Sequence, residues 1–476
     1  MISARLQRLK YIAGDYISSN IAMLLYNCAR FYFGENRILS QGFTSLGSFL
    51  SSENVILGQL LFPIAMMGIY YLSGYYTEAF RKSRMQELVQ TLTSSFVSAL
   101  MVFFIAIIND LVSERTYSYE LILLFLVINF VTVYTFRLTT TSIASKKIMC
   151  GEWKFNTLII GAGKKAVNFA NKMANSPNNL GYNIVGMVAI PGEQVTVNAR
   201  YPVYLISDIA DVCARCDIKE LIVIPPRHDA KMILNTVNTL FPLNLPVKIM
   251  PDIYNILVSR VRLSDFHGEP LVDISGSNMG HGAANAKRVI DCLLASLSLI
   301  ILAPFLIFIA FRIKTESKGG IIYKQERIGL RNKAFIIYKF RTMYPNAEEG
   351  GIPRLSSGDN DSRITPFGKF MRKYRIDELP QFWNVLKGDM SIVGPRPERQ
   401  YYIDQIIKKA PSYTLLHQVR PGITSMGMVK FGYAKNVEEM IERMKYDLIY
   451  LENMSLLNDL KIMAYTVETV ITGRGI

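Results

Sequence analysis

The sequence predicts a membrane protein in three parts: an α-helical N-terminal membrane bundle, an α/β middle domain, and an α+β C-terminal domain with a re-entrant membrane helix. Three observations carry this reading. Four apolar runs, at residues 11–31, 55–75, 88–108 and 119–139, are each about as long as the ~20 residues that cross a hydrocarbon core. After Trp153 short apolar strands alternate with helical stretches, the pattern of a parallel sheet. A further long apolar run, after Asp291, is basic at both ends and contains a proline.

Composition fits this class. Half of the 476 residues are hydrophobic, and mean hydropathy is positive at +0.20. The net charge of +15 suits anionic lipid or phosphorylated substrates and the basic cytoplasmic flanks of membrane helices. Once its positions are considered, no nucleic-acid partner is expected. Five cysteines with one C-x-x-C pair, Cys213 and Cys216, and only four histidines make neither a disulfide framework nor a zinc site. No cleavable signal peptide is visible.

Residues 1–150 form the predicted four-helix region. Arg5, Arg8 and Lys10 precede the first run, Arg81, Lys82 and Arg84 separate the second from the third, and Arg137, Lys146 and Lys147 accompany the end of the fourth. The loop with Asp110, Glu114, Arg115 and Glu120 leans acidic, while the first loop, with Arg30 and Arg37, is less clean. The pattern places the N-terminus and the C-terminal bulk on the cytoplasmic side.

Residues 151–275 read as a Rossmann-like domain, with strands at 156–160, 184–190, 220–224 and 247–250. The first strand runs into Gly161-Ala-Gly-Lys-Lys-Ala166, a G-x-G-x-x-A turn that opens a helix. Gly161 and Gly163 are therefore candidate nucleotide-binding residues, since backbone at such a turn can approach a pyrophosphate. The second strand ends Val-Ala-Ile-Pro-Gly-Glu, without the acidic residue that would hold a ribose; Glu193 comes late. A structural or regulatory module fits better than a catalytic cofactor site.

Residues 287–313 are the predicted re-entrant helix. Lys287 and Arg288 stand at one end, Arg312, Lys314 and Lys318 at the other, and Pro304 lies inside. Both ends favour one membrane face, and proline removes a backbone donor, so a broken helix that enters and leaves by the same side is expected. Asp291 is expected to pair with Arg288 or with polar backbone.

The C-terminal domain, 280–476, opens with two predicted strands around a turn at Arg331-Asn332. Alternation puts Lys339 and Arg341 on one strand face, where cations can grip a diphosphate. Asp361-Ser-Arg363 follows. Phe367, Phe370, Met371 and Tyr374 then fall at helical spacing, with Lys369, Arg372 and Lys373 placed to face lipid headgroups. Next comes Asp377-Glu378-Leu-Pro-Gln381. Adjacent carboxylates can serve as nucleophile and cation ligand in phosphoryl transfer; they can equally cap a helix. The two roles are compatible, because phosphate also binds well at a helix N-terminus. Pro395 and Pro397 bracket Arg396 and fix its backbone, which suits a ligand-gripping arginine.

These segments resemble the bacterial polyprenyl-phosphate hexose-1-phosphate transferases, the monotopic phosphoglycosyl transferases, in their long form. The matching pieces are Lys287-Arg-x-x-Asp291, Gln325-Glu-Arg-x-Gly-Leu, Tyr338-Lys-Phe-Arg-Thr-Met, Asp377-Glu-Leu-Pro-Gln-Phe-Trp-Asn-Val-Leu-Lys-Gly-Asp-Met, Gly394-Pro-Arg-Pro-Glu and Arg420-Pro-Gly-Ile-Thr. The resemblance implies that Asp377 attacks a UDP-sugar, releases UMP and passes the sugar phosphate to polyprenyl phosphate, initiating exopolysaccharide, capsule or O-antigen synthesis. It implies Mg2+ at Glu378, Arg396 on the nucleotide, and Lys339, Arg341 and Arg372 on the phosphates. Asp361, Arg363, Gln381, Pro395 and Pro397 are expected to complete the substrate site. It also implies an inner-membrane location with the catalytic domain on the cytoplasmic face, and allows a homodimer. Ser425-Met-Gly-Met departs from the family's tryptophan-bearing pattern, which leaves the sugar open.

Two alternatives stand beside this reading. A membrane-anchored NAD-dependent dehydratase or epimerase needs Tyr-x-x-x-Lys, and none of the 26 tyrosines has lysine four residues on. A non-catalytic scaffold of polysaccharide assembly would not need the intact Asp377-Glu378 and Gly394-Pro-Arg-Pro.

Overall fold

The computed structural model describes residues 4–33, 43–77, 80, 82, 84–109, 115–175, 181–196, 200–225, 230–250, 272–273, 279–344 and 361–472. Of the charges that set the predicted topology, Arg37, Arg81, Asp110 and Glu114 lie outside these residues. The chain divides into two compact units. One holds the helices up to Lys154 with Gly280–Ala286; the other holds nearly all the remaining described chain.

The first unit is helical: α1 (Ala4–Phe33), a single turn α2 (Leu46–Leu50), α3 (Glu53–Leu72), α4 (Arg84–Asn109) and α5 (Arg115–Met149). α2 begins at Ser45, whose hydroxyl accepts from the Ser48 amide while Ser48 Oγ accepts in return from the Ser45 amide. In this unit Glu53–Leu72 and Glu120–Met149 are long and apolar enough to cross a membrane; α4 contributes a shorter apolar stretch, Glu87–Val102. α1 is diluted by Asp15, Asn20 and Asn27. Its Asp15 is buried and takes both forks of Arg137 on α5, Nε to Oδ1 at 2.8 Å and Nη2 to Oδ2 at 2.8 Å. Tyr76 donates to the same carboxylate at 2.9 Å, Arg137 Nη1 donates to Thr91 of α4 at 3.2 Å, and Tyr70 and Tyr75 lie under the guanidinium. A buried charge pair is tolerated when its donors and acceptors are met in this way.

The second unit contains the α/β domain. Its sheet has the order β3-β2-β1-β4-β5-β6, from β1 (Phe155–Ile160), β2 (Tyr182–Ala189), β3 (Val203–Leu205), β4 (Glu220–Val223), β5 (Val247–Ile249) and β6 (Val272–Asp273). β1 to β5 pair in parallel and β6 is antiparallel. Helices α6 (Lys164–Asn175), α7 (Ile209–Arg215) and α8 (Ala230–Leu240) alternate with the strands. Leu158, Ile160, Val188, Leu221, Val223 and Val247 are buried in its core. The sequence pattern missed β3 and β6, strands of three and two residues at the two edges of the sheet, too short to stand out as elements.

The unit continues with α9 (His281–Glu316), which begins among the residues of the first unit. The expected break at Pro304 does not interrupt the helix; proline removes one hydrogen bond and leaves its neighbours available. Ala295 packs with Ile337, Val385 and Met390, and Ile309 and Ile313 pack with Phe340 and Met371, so both flanks of the proline rest on the same α+β domain. Between them Ile300 and Ile307 are 73% and 70% exposed, an apolar surface that calls for lipid.

The α+β domain itself is built on a hairpin, β7 (Ile322–Ile328) and β8 (Ala334–Phe340), paired antiparallel from Ile322↔Phe340 to Ile328↔Ala334. Arg331 and Asn332 both take positive φ at its turn. α10 (Pro366–Lys373) is capped by Thr365, α11 (Gln381–Lys387) follows a short turn, and β9 (Ser391–Val393) pairs in parallel with β10 (Gly422–Thr424). Helices α12 (Gln400–Lys409), α13 (Met426–Lys430), α14 (Val437–Glu452) and α15 (Leu456–Ile471) complete it. On α10 Met371 is buried and Phe370 is exposed, stacked between Phe367 and Tyr374.

Breaking the bundle's ion pair strands the remaining charge. Asp15→Asn or Arg137→Met is expected to cost about 3–5 kcal/mol, and the Asp15→Leu/Arg137→Leu double variant less than the sum of its single changes. Thermal melting of detergent-solubilised protein measures both.

Candidate active site

Arg375 leaves α10 in the left-handed region, at φ 53, and turns the chain into the short 3-10 turn Ile376–Glu378. A non-glycine residue there is strained, and such strain is held where the surroundings over-determine it. The turn buries Asp377 and Glu378 side by side. The helix-cap role is not taken: Pro380, not an acidic residue, stands at the cap position before α11, and no side chain caps the helix.

Cations surround the pair. Lys339 Nζ donates to Glu378 Oε1 at 2.7 Å and stands 4.0 Å from Asp377 Oδ2. Arg375 Nη1 lies 3.9 Å from Glu378 Oε2, and Arg396 Nη1 3.9 Å from Oε1. The Tyr433 ring lies beside both arginines, its centroid 5.7 Å from the Arg375 guanidinium and 5.2 Å from that of Arg396. These contacts divide the charge between the carboxylates. Burial pushes the Asp377 carboxyl above the usual carboxylate range; Lys339 opposes the shift and the Glu378 charge adds to it. Burial acts on Glu378 in the same sense, but Lys339, Arg375 and Arg396 outweigh it and hold that group low.

Local structure fixes each cation. Asn384 of α11 is buried and clamps β8, donating to Ile336 O at 2.7 Å and accepting from Tyr338 N–H at 3.1 Å. That places Lys339 over the turn. The Arg396 loop is anchored from both sides. Gly422 N–H donates to Pro395 O at 2.9 Å, and Gly394 N–H to Thr424 O at 3.0 Å. A Cβ on Gly422 would lie 2.1 Å from Gly394 N, so this approach requires glycine. Behind the loop Asp447 accepts the Arg396 amide at 3.4 Å and the Gly427 amide at 2.8 Å. Glu398 takes Arg443 at 2.5 Å and Arg327 at 3.2 Å, and lies 3.8 Å from Arg396 Nε. Arg327 also donates to Pro397 O.

Of the sequence candidates, Lys339, Arg396, Asp377 and Glu378 meet. Arg372 bonds Thr342 Oγ1 at 2.9 Å, and its charge reaches Asp377. Gln381 is buried one turn on, its Nε2 without a hydrogen-bond partner among the described residues. Arg341 goes elsewhere: it donates to Ser317 O and Lys318 O at 2.8 Å, just past the end of α9. Asp361 and Arg363 pair with each other at 2.7 Å. Asp291 does not ion-pair with Arg288. It accepts from Ser391 Oγ at 2.6 Å and Ile392 N–H at 3.3 Å, while Arg288 donates to Leu386 O and Met390 O at the end of α11. Lys287 lies between Asp459, at 2.7 Å, and Asp291, at 3.9 Å.

Sequence reasoning missed Arg375, Tyr433, Asn384, Glu398, Arg443 and Asp447 as site residues. Asn384 was findable, three residues from Gln381 and seven from Asp377. Tyr433, Arg443 and Asp447 come from chain far from the motif, and nothing local marks them.

Two adjacent buried carboxylates ringed by Lys339, Arg375 and Arg396, in a unit that also carries the long apolar helix α9, are the features a family assignment has to accommodate. The chain belongs to the bacterial sugar transferase family, whose sequence profile matches residues 282–473. A second profile, described as a CoA-binding domain, matches 71–251. The UDP-N-acetylgalactosamine-undecaprenyl-phosphate N-acetylgalactosaminephosphotransferase of Aeromonas hydrophila is 39% identical over 232 residues, 49% of this chain and 54% of that protein. A UDP-glucose:undecaprenyl-phosphate glucose-1-phosphate transferase of Caulobacter vibrioides is 39% identical over 188 residues, 39% of this chain and 70% of that one. A similarly named transferase of Klebsiella pneumoniae is 34% identical over 55% of this chain and 56% of its own. The chain thus spans about half the length of the Aeromonas and Klebsiella relatives.

Asn384→Ala would remove both bonds to β8, from the Tyr338 amide and to the Ile336 carbonyl. A loss of about 2 kcal/mol is expected, read as a lowered melting temperature of the full-length protein.

Proposed function

We propose that this protein transfers a sugar-1-phosphate from a UDP-sugar to a polyprenyl phosphate, with Asp377 as the nucleophile. One observation carries the reading: two buried carboxylates share a ring of cations that keeps Glu378 ionised and leaves Asp377 the more basic oxygen. A more basic carboxylate is the better nucleophile toward phosphorus. An Asp377 oxygen attacks the β-phosphorus of the donor, the bond to the bridging oxygen breaks, and UMP leaves. The acceptor phosphate oxygen then attacks the same phosphorus, and the carboxylate is released unchanged. Arg396 and Arg375, both beside Tyr433, and Lys339 neutralise the equatorial oxygens in both steps.

Magnesium fits this donor set. Asp377 and Glu378 stand side by side and offer hard carboxylate oxygens, a set suited to an ion that takes one or two carboxylates and draws its other ligands from water and substrate phosphate. Glu378 would hold it, and when bound it would draw charge from the diphosphate. We place the site on the cytoplasmic face of the inner membrane, where UDP-sugars are. The basic flanks of α9 and the shared footing of its two halves support a re-entrant rather than a spanning course, and the four long helices of the first unit serve as the anchor.

Purified protein with UDP-sugars, Mg2+ and polyprenyl phosphate is expected to release UMP with at least one donor, and Asp377→Asn to abolish both UMP release and covalent labelling while the melting temperature holds. Full activity in that variant would remove Asp377 from the role. Asp377 acts as the carboxylate, and its proton affinity is raised to about 6. The single-turnover rate is therefore expected to be full above that pH and to fall as pH drops through it; a rate that stays flat down to pH about 4, the ordinary aspartate range, contradicts the assignment.

A further inference from the structure

The α/β domain has the strand, glycine turn and helix of a nucleotide site, and its profile match is described as CoA-binding. Its turn is already filled. The Ala162 amide donates to Glu193 Oε2 at 2.9 Å, the Gly163 amide to Oε1 at 2.7 Å, and the Ile190 amide to Oε2 at 3.3 Å. Ala162 and Gly163 immediately precede α6, and theirs are the amides a pyrophosphate would meet at such a turn. A Cβ on Gly163 would lie 2.8 Å from Glu193 Oε1, so the space in front of the turn belongs to that side chain. Backbone bonds hold it in place: Thr196 N–H donates to Ala162 O at 2.8 Å and Glu193 N–H to Ile190 O at 3.1 Å, with Gly192 at φ +80 reversing the chain.

We infer that this turn is a carboxylate latch rather than a nucleotide site: Glu193 supplies the anion the glycine turn is built to receive, and the domain is closed to CoA and dinucleotides. A diphosphate entering here would have to expel an ionised carboxylate, or lie against it at the cost of like-charge repulsion. The segment after β2 is thereby tied to the β1–α6 turn, which gives the glycines a structural purpose. The inference is independent of the transfer reaction.

Hydrogen exchange by mass spectrometry, on the full chain in lipid nanodiscs, follows the β1–α6 peptide directly. Millimolar CoA or NADH is expected to leave its exchange unchanged in the wild-type protein, while Glu193→Ala raises exchange at the turn by about tenfold, the effect of losing roughly one hydrogen bond. Protection of the wild-type peptide by either ligand overturns the inference, as does unchanged exchange in Glu193→Ala. The wild-type comparison decides the matter if the alanine variant does not fold.

Discussion

Two carboxylates buried in adjacent positions repel one another and have lost their water, so cations must stand against them for the turn to exist. Lys339 answers Glu378 directly, and Arg375 and Arg396 complete the ring. Much of the α+β domain follows from placing these three charges. The β7–β8 hairpin delivers Lys339 and is held in register by Asn384. The strained φ of Arg375 aims its guanidinium back at the carboxylates instead of along α10. The Pro-Arg-Pro loop delivers Arg396, and Glu398, Asp447 and Arg443 hold that loop from behind.

Because the cations favour Glu378, the two acids are unequal. One stays charged and suits an electrostatic or cation-binding role; the other holds its proton longer and is the stronger base when ionised. The same asymmetry separates roles wherever neighbouring carboxyl groups differ in environment. Here both groups are buried, and the cations make the difference: Lys339, Arg375 and Arg396 all stand nearer Glu378.

Two further charged groups obey the same rule to different ends. In the bundle Asp15 and Arg137 pair through two hydrogen bonds and fasten one helix to another. In the α/β domain Glu193 meets backbone dipoles instead of cations. A turn that elsewhere receives phosphate thus becomes part of the framework, an instance of fold failing to fix function.

The sequence by itself determined what local chemistry can carry. Apolar runs of membrane length, the β1–turn–α6 unit, the hairpin and the Asp377-Glu378 pair were all legible, because periodicity, glycine placement and adjacent acids act over a few residues. It could not say which neighbours Arg341 meets, since strand alternation gives a face but not its occupants; Ser317 and Lys318, just past α9, take that arginine. It could not assign Asp291, whose partners Ser391 and Ile392 lie a hundred residues on. Nor could it weigh Asp377 against Glu378, or see that Glu193 fills the glycine turn. Those outcomes were decided by tertiary structure alone, because charge balance and occupancy depend on distances between groups that only folding brings together.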